Sequence, residues 1–271
     1  MYLLFGIIII TALFTYKGLN DNIFLSKNIF DVERIRQSKE TSRILSSGFL
    51  HADWMHFGFN MLTLYFFAPI ILSSLGSLSF VLLYFLAMIG GNLLALLVHR
   101  NNFYYRAYGA SGAVSGILLA SIMMNPTGIH IYGIIPGWLF AIGYILASIY
   151  GSMKQSGNIG HSAHLGGAII GLLYVAVAAP YQVNRFPIIF FSMMIPSIAF
   201  ILHESGIIDL AKLGAYPFKK KKFKDLHHRG KDVNPKFEKD QELNALLEKI
   251  NRTGFHSLTD REKERLEELS K

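Results

Sequence analysis

Long apolar runs separated by shorter polar segments make up the first three quarters of this sequence. They cover residues 1–16, 54–73, 78–98, 111–124, 131–150 and 161–180, and a seventh run at 187–202 is interrupted by Pro196. A helix of about 20 apolar residues crosses a hydrocarbon core about 30 Å thick. The pattern therefore predicts an all-α polytopic membrane protein, a bundle of six transmembrane helices with a possible seventh segment.

The first run differs from a signal peptide. It is apolar from Met1 onward, has no basic segment ahead of it, and shows no small-residue cleavage motif before Lys17. We therefore expect it to be retained as a first span. Residues 17–50 carry mixed charges, are too polar to cross a membrane, and are expected to lie along its interface.

The fourth run is unusually short. Its 14 residues, 111–124, rise only about 21 Å, less than the thickness of the hydrocarbon core. Ser111 is therefore expected below the membrane surface. Irregular backbone at that depth is tolerated only inside protein or beside water, so residues 100–110 are expected to dip inward to meet it.

Polar side chains recur where the second, fourth and sixth spans begin. Because alternate spans run in the same direction, these three beginnings lie in one leaflet. They carry, in order, His51, His56 and Asn60, then Ser111, then His161 and His164. Helix spacing places His56 and Asn60 on one face, since residues four apart are neighbours.

Small residues indicate how two of these spans approach each other. One stripe is Gly112, Gly116 and Ala120 on the fourth span, and a second is Ala163, Gly167 and Gly171 on the sixth. Stripes of this kind let membrane helices pack closely. Close packing would bring His164 to Ser111.

The residue types available also restrict the chemistry. Between Trp54 and His203 there is no Asp or Glu, which excludes aspartyl dyads and carboxylate proton relays inside the spans. With no cysteine in the chain, thiol nucleophiles and disulfides are excluded too. His51 and His56 are five apart and lack the carboxylate of a zinc motif, so we expect no metal and no cofactor. Any base within the spans must be a histidine.

The last part of the chain has a different composition. We expect a membrane domain over 1–205, a basic linker over 206–238 and a small two-helix hairpin over 239–271. The linker contains the run 219–224, rich in lysine, and the net charge of the chain is +8. A basic run beside a membrane favours contact with anionic lipid over nucleic acid. In the hairpin, 242–250 has helical spacing of leucines, and Thr259 with Glu262 forms a capping box for the last helix.

Three motifs resemble the rhomboid family of intramembrane serine proteases over about residues 1–180. They are H-x4-H-x3-N at His51, His56 and Asn60, G-x-S-G from Gly109 to Gly112, and A-H-x-x-G-x-x-x-G from Ala163 to Gly171. The tail resembles a helical extension on some bacterial rhomboids. The resemblance therefore implies a rhomboid-like bundle, membrane-protein substrates with a transmembrane helix, and a place in the bacterial cytoplasmic (inner) membrane.

The same resemblance implies a role for each motif residue. Ser111 would be the nucleophile and His164 the general base and acid. His56, Asn60 and the backbone N–H of Ser111 would form the oxyanion hole. Structural or supporting positions would be His51, Arg43, Gly109, Gly112, Gly167 and Gly171.

The sequence departs from the family at two positions. The residue four after the serine is often a tyrosine that stacks on the base, and here it is Ser115. The residue before Arg43 is often aromatic, and here it is Ser42. A different group must therefore hold His164, and we expect a ring from the segment 103–108 or from His161.

Several alternatives remain open at this stage. Small residues and lone histidines also occur in ordinary helix packing, and His161 is a rival base. A non-proteolytic rhomboid-like binder or chaperone of membrane proteins is the alternative function. A transporter or channel is disfavoured, because intramembrane charges and inverted repeats are missing.

Two rules disagree on which side the site faces. Lys and Arg concentrate in the first, third and fifth connections, so the positive-inside rule puts the three polar beginnings toward the cytoplasm. The resemblance implies the opposite, and we prefer it because the first connection also carries acidic residues. With a cytoplasmic tail, this orientation predicts six full spans and an interfacial or re-entrant segment at 187–202.

Overall fold

The computed structural model describes residues 1–154, 160–209 and 255–269, together with the single positions 243, 246 and 250. The chain divides into two compact units, Met1–Pro217 and Phe218–Lys271. The described part of the first unit consists of helices, two short strand pairs and the segments that connect them. The finer division into membrane domain, linker and tail stays a prediction, because most of 206–238 lies outside the described residues.

The elements follow one another with short connections. The first part contains α1 (Tyr2–Asn20), α2 (Asn22–Asn28), β1 (Phe30–Asp31), α3 (Val32–Arg36), α4 (Arg43–Ser46) and a 3-10 turn (Ser47–Phe49). The middle contains α5 (Trp54–His99), β2 (Arg106–Ala107), α6 (Ser111–Met124), β3 (His130–Ile131) and β4 (Ile135–Pro136). The rest contains α7 (Gly137–Lys154), α8 (His161–Ala178), α9 (Pro180–Arg185), α10 (Pro187–Glu204) and α11 (Asp260–Leu269).

Four described helices are long and apolar enough to cross a membrane, namely α1, α5, α8 and α10, while α6 and α7 are shorter apolar helices. Helix α5 has 46 residues, or about 69 Å, which is more than twice the thickness of a hydrocarbon core. It is broken at Gly76, whose φ of 85° and ψ of 172° are not helical. This break separates the second and third predicted spans, which therefore meet at a kink rather than at a loop.

Hydrogen bonds between distant segments identify two ends of the first unit. At one end, which we call the site face, α6 begins at Ser111, and Arg100 Nη2 donates to the carbonyl of Ser205 at 3.3 Å. At the other end, Gln182 Nε2 donates to the carbonyl of Met124, the last residue of α6, at 2.7 Å. Helix α10 therefore runs from the far end back to the site face.

This course of α10 bears on the segment predicted at 187–202. The helix is a candidate membrane span of 18 residues in spite of Pro196 within it. Its last residues lie beside Arg100, the residue that follows α5. By length and composition α10 is thus a candidate for the possible seventh span, and the interfacial or re-entrant placement of 187–202 stays a prediction.

The start of the fifth span was predicted wrongly. We expected a helix from residue 131, but α7 begins at Gly137. The preceding residues form the antiparallel hairpin of β3 and β4, with Ile131 opposite Ile135. Its turn contains Tyr132 and Gly133, which both have positive φ, 53° and 72°, so the helix cannot start earlier.

Helix α6 lies in the centre of the bundle, with all residues after Ser111 buried. The small stripes predicted for the fourth and sixth spans meet here. A Cβ at Gly167 would overlap the carbonyl of Gly112, and one at Gly171 would overlap the carbonyl of Gly116. The predicted close packing of α6 on α8 is confirmed.

In the second unit, the capping box of α11 is confirmed. The backbone N–H of Thr259 donates to Glu262 Oε2 at 2.8 Å, and the N–H of Glu262 donates back to Thr259 Oγ1 at 3.3 Å. The helix predicted at 242–250 and the basic run at 219–224 lie mostly or wholly outside the described residues, so both stay predictions.

Candidate active site

Ser111 and His164 meet where two helices begin. Ser111 is the first residue of α6, and His164 lies in the first turn of α8. The distance between Ser111 Oγ and His164 Nε2 is 2.7 Å, a hydrogen bond. The packing predicted from the small stripes thus brings the serine hydroxyl to an imidazole nitrogen, in a geometry that suits proton transfer.

The other histidine of α8, His161, occupies a different position. Its ring lies edge-on to that of His164, with centroids 5.8 Å apart and planes at 74°. It also lies against Gly151 of α7, where an added Cβ would overlap the imidazole. Of the two histidines considered as bases, His164 therefore holds the hydrogen bond to the serine.

The turn before Ser111 depends on Gly109. Its φ of +145° is a conformation that side chains rarely adopt. A Cβ at this position would lie 2.9 Å from His56 Cε1, 3.2 Å from His56 Nε2 and 3.6 Å from Ser111 Oγ. The missing side chain leaves open the space that a Cβ would fill between the His56 ring and Ser111 Oγ.

His51 ties three segments together beneath this turn. The N–H of Ala110 donates to His51 Nε2 at 3.3 Å, so Nδ1 carries the proton of the neutral ring and donates to Thr15 Oγ1 at 2.9 Å. Thr15 in turn donates to the carbonyl of Phe49. Burial lowers the pKa of His51, which precedes α5, to about 3. These contacts suit the structural position that the resemblance implied.

His56 lies beside Gly109, two residues before the serine. Asp53 caps α5 by accepting from the N–H of His56 at 2.7 Å, and the N–H of Ala52 donates to His56 Nδ1 at 3.4 Å. A neutral imidazole whose Nδ1 accepts carries its proton on Nε2. The Nε2–H donor is thus the nitrogen that lies beside Gly109.

Asn60 occupies the next turn of α5 and is buried. Its Nδ2 donates to the carbonyl of His56 at 2.9 Å, a bond within the same helix. One amide N–H has this intrahelical partner, which leaves the second for another acceptor. The described contacts therefore join Ser111 to His164 directly, place the His56 ring beside Gly109, and tie Asn60 to the carbonyl of His56.

Backbone donors are also present at the serine. Because α6 begins at Ser111, the N–H groups of its first turn have no acceptor in the preceding turn of the helix. Such groups and the helix dipole favour negative charge at a helix N-terminus. The serine hydroxyl thus lies next to backbone N–H donors, and the His56 ring lies beside Gly109 in the same turn.

Residues 21–53, which we call connection one, contact the segment that precedes the serine. Strand β1 pairs with β2, and Arg106 forms a 2.8 Å ion pair with Asp31 across this pair. Arg43, buried, donates to Glu40 and to the carbonyls of Ser26 and Ile29. Neither strand was predicted. Two-residue strands are too short to show an alternating pattern.

The ring beside His164 comes from an unexpected place. We expected it from residues 103–108 or from His161, but it is Tyr144 of α7, with ring centroids 6.4 Å apart and planes at 22°. His161 contributes only the edge contact. A usable signal existed in the sequence, because Tyr144, Ser148 and Gly151 recur at helical spacing within an apolar run.

Two parts of the chain match known protein families. Residues 38–181, more than half of the chain, match the model of the Rhomboid domain family, and residues 234–271 match a family of unknown function, DUF6576. The first match includes every residue of the site described above except Thr15 and the early part of connection one. The second covers the predicted hairpin.

Curated relatives carry rhomboid names. RHOMBOID-like protein 12, mitochondrial, of Arabidopsis thaliana is 27% identical over 62% of this chain and 54% of its own length. Rhomboid protein 1, mitochondrial, of Saccharomyces cerevisiae is 30% identical over 48% of this chain and 40% of its own length. Rhomboid-like protease 5 of Toxoplasma gondii is 29% identical over 57% and 18%. This chain therefore spans about half or less of the length of these relatives. Because the Rhomboid domain model matches more than half of the chain, the chain belongs to the rhomboid family of multi-pass integral membrane proteins.

Proposed function

We propose that this chain is an intramembrane serine endopeptidase that cleaves peptide bonds in or beside the transmembrane segments of membrane proteins, using Ser111 and His164 as a dyad. The observation that carries the proposal is the 2.7 Å hydrogen bond between Ser111 Oγ and His164 Nε2 at the start of α6. A serine hydroxyl becomes a nucleophile when an adjacent base can take its proton. The name protease that one relative bears is consistent with this proposal.

The reaction follows from the positions of these atoms. Ser111 Oγ attacks the carbonyl carbon of the peptide bond while its proton passes to His164 Nε2. The oxyanion that forms accepts from His56 Nε2–H, from the second amide N–H of Asn60 and from the backbone N–H of Ser111. His164 then donates the proton to the leaving amine. A water molecule, activated by the same imidazole, releases the acyl group from the serine.

The setting of the dyad supports membrane-protein substrates. Ser111 begins a 14-residue helix, about 21 Å long, so it lies within the hydrocarbon depth. The neighbouring turns of α5 expose apolar side chains, including Met55 at 70% and Phe59 at 66%. Exposed apolar side chains of a span face lipid tails, so the partners of this region are the bilayer and transmembrane helices.

Labelling with a fluorophosphonate probe tests the proposal. Purified chain in detergent should react with the probe, and Ser111→Ala should abolish both the labelling and the cleavage of a single-span model substrate. Ser121→Ala is the matched control, since Ser121 lies in the same helix and donates to the carbonyl of Phe67. Wild-type protein that neither labels nor cleaves would instead indicate a rhomboid-like binder or chaperone of membrane proteins.

We also propose that the site face opens outward from the compartment in which the chain is made. The chain has no native cysteine, so single cysteines can be tested with an impermeant maleimide on intact cells. Tyr104→Cys and Ile207→Cys, both exposed and near the site face, should be labelled, whereas the exposed hairpin variant Ile134→Cys should not. Labelling of Ile134→Cys alone would reverse the orientation.

The membrane in which the chain resides stays a prediction. The tail resemblance predicted a bacterial cytoplasmic membrane, whereas two of the relatives above carry the word mitochondrial in their names. The predicted contact between the basic run at 219–224 and anionic lipid likewise stays a prediction.

A further inference from the structure

Among the residues that the structure describes, no carboxylate forms a hydrogen bond or ion pair with the imidazole of the proposed base. A triad places an aspartate on Nδ1, which fixes the tautomer and the ring orientation. The sequence offers no Asp or Glu between Trp54 and His203. The orientation of the His164 ring must therefore come from packing or from neutral hydrogen bonds.

Tyr144 provides a flat surface for that ring. The planes of the two rings differ by 22°, and their centroids are 6.4 Å apart, within the range in which aromatic pairs attract. A nearly parallel aromatic neighbour favours this orientation of the imidazole plane over tilted ones. In this orientation Nε2 lies 2.7 Å from Ser111 Oγ.

A hydrogen-bond chain ties this tyrosine to the serine. Ser115 Oγ donates to the carbonyl of Ser111 at 2.6 Å, so the hydroxyl of Tyr144, 2.5 Å from Ser115 Oγ, must donate to it. Ser115 is fully buried, with 1% of its surface exposed. These hydrogen bonds thus fix the position of Tyr144 relative to Ser111, the residue to which His164 is bonded.

The small size of Ser115 makes this arrangement possible. The residue four after the serine lies one turn further along α6, directly below Ser111. A large side chain there would occupy the volume that the Tyr144 hydroxyl reaches into from α7. A serine at this position both leaves the volume open and provides an acceptor for the tyrosine.

We propose that Tyr144 is the positioning residue for His164, anchored through Ser115 to the backbone of Ser111, and that this pair from two helices takes the place of a single ring carried by α6. The inference rests on the proposed function, because it concerns the base of that same site. Tyr144 touches no reacting atom and acts only through the orientation of the imidazole.

The first test replaces the ring. Tyr144→Leu should lower kcat for a single-span model substrate by about 10- to 100-fold, because small misplacements of a catalytic group have effects of this size. KM and the unfolding temperature should change little. Tyr150→Leu is the matched control, since Tyr150 lies on the same helix and is 50% exposed; it should keep the wild-type kcat.

Tyr144→Phe separates the ring from the hydroxyl. The phenyl ring remains beside His164, so this variant should keep most of the wild-type kcat, with a smaller loss matched by Ser115→Ala. An equal loss in Tyr144→Phe and Tyr144→Leu would overturn the role of the ring. Tyr144→Phe also keeps the side-chain volume, so it serves if the leucine variant does not fold.

A relocation experiment gives the sharpest outcome. Ser115→Tyr combined with Tyr144→Ala moves the ring from α7 to α6, and this double variant should regain part of the kcat lost in Tyr144→Ala alone. A kcat for Tyr144→Leu equal to that of wild type, or a loss that only follows the unfolding temperature, would overturn the inference. Retained turnover in Ser111→Ala would instead overturn the proposed function, and the inference with it.

Discussion

In the proposed active site, the base side and the oxyanion side of Ser111 are held by different kinds of contact. On the base side, where α8 carries His164, the helices touch through their backbones, and a Cβ at Gly116 would lie 2.9 Å from the carbonyl of Gly167. On the oxyanion side, His56 is placed by two hydrogen bonds at the start of α5, next to Trp54, which is 51% exposed.

This difference separates two ways of fixing a site. Backbone contact on the base side sets the distance between α6 and α8, and it fails when volume is added. The oxyanion side depends on caps and tautomers, so it fails when a hydrogen-bond partner is lost or changes its charge. Added side-chain volume should therefore disturb mainly the base side, and the loss of a hydrogen-bond partner should disturb mainly the oxyanion side.

The largest effect is expected from the base itself. His164→Gln should lower turnover by on the order of 10⁴-fold or more, as the loss of a histidine base does in serine proteases. His161→Gln, the matched change three residues earlier, should keep the hydroxyl of Ser111 reactive. Fluorophosphonate labelling rates of the two variants provide the measurement. Equal losses would show that the two histidines act as one unit.

On the oxyanion side, the expected effect is smaller. His56→Ala should lower kcat by about 10²- to 10³-fold, the usual result of removing one oxyanion donor, and Asn60→Ala should act in the same direction. Both should retain the nucleophile and therefore some labelling. Thr63→Ala on the same helix is the control. Cleavage at the wild-type rate in both variants would leave the oxyanion to backbone donors alone.

Added volume on the base side should act on stability first. Gly167→Ala places a methyl group against the carbonyl of Gly112, and overpacking of this kind costs about 1–3 kcal/mol. Gly143→Ala, in α7, meets no atom within 4 Å and should be neutral or stabilising by a few tenths of a kcal/mol to about 1 kcal/mol. Unfolding temperatures in detergent compare the two. A wild-type value for Gly167→Ala would contradict the backbone contact.

The base side was largely predictable from the sequence, and the reason is physical. Glycines four apart on two helices leave few arrangements other than close contact. The stripes that contain Gly112 and Gly167 therefore predict that these two helices contact each other. Once these helices touch, the first turn of α8 must lie near the start of α6. The meeting of His164 with Ser111 then follows from helix geometry.

Contacts between elements far apart in sequence were not predictable in the same way. The helical spacing of Tyr144, Ser148 and Gly151 indicates a face of α7, but only the fold shows that the Tyr144 hydroxyl meets Ser115. The kink at Gly76 and the hairpin before Gly137 depend on backbone angles that apolar composition does not encode. Patterns of hydrophobicity report which residues are buried, whereas these features depend on what each residue is buried against.

The smallest expected effect concerns pH on the oxyanion side. Desolvation, with a smaller contribution from His56, lowers the pKa of His51 from 6.5 to about 3, while Asp53 opposes the shift. Below pH 6.5, the pKa of this histidine in the unfolded chain, the unfolded state binds a proton that the native state does not bind. His51 therefore makes the free energy of unfolding fall as pH falls from 6.5 toward 3. Unfolding temperatures at about pH 7.5 and about pH 5 should therefore differ less in His51→Gln than in wild type. His130→Gln, an exposed change in the hairpin, is the control and should keep the wild-type difference between the two unfolding temperatures. If His51→Gln also keeps that difference, the buried hydrogen bonds of His51 do not govern acid sensitivity.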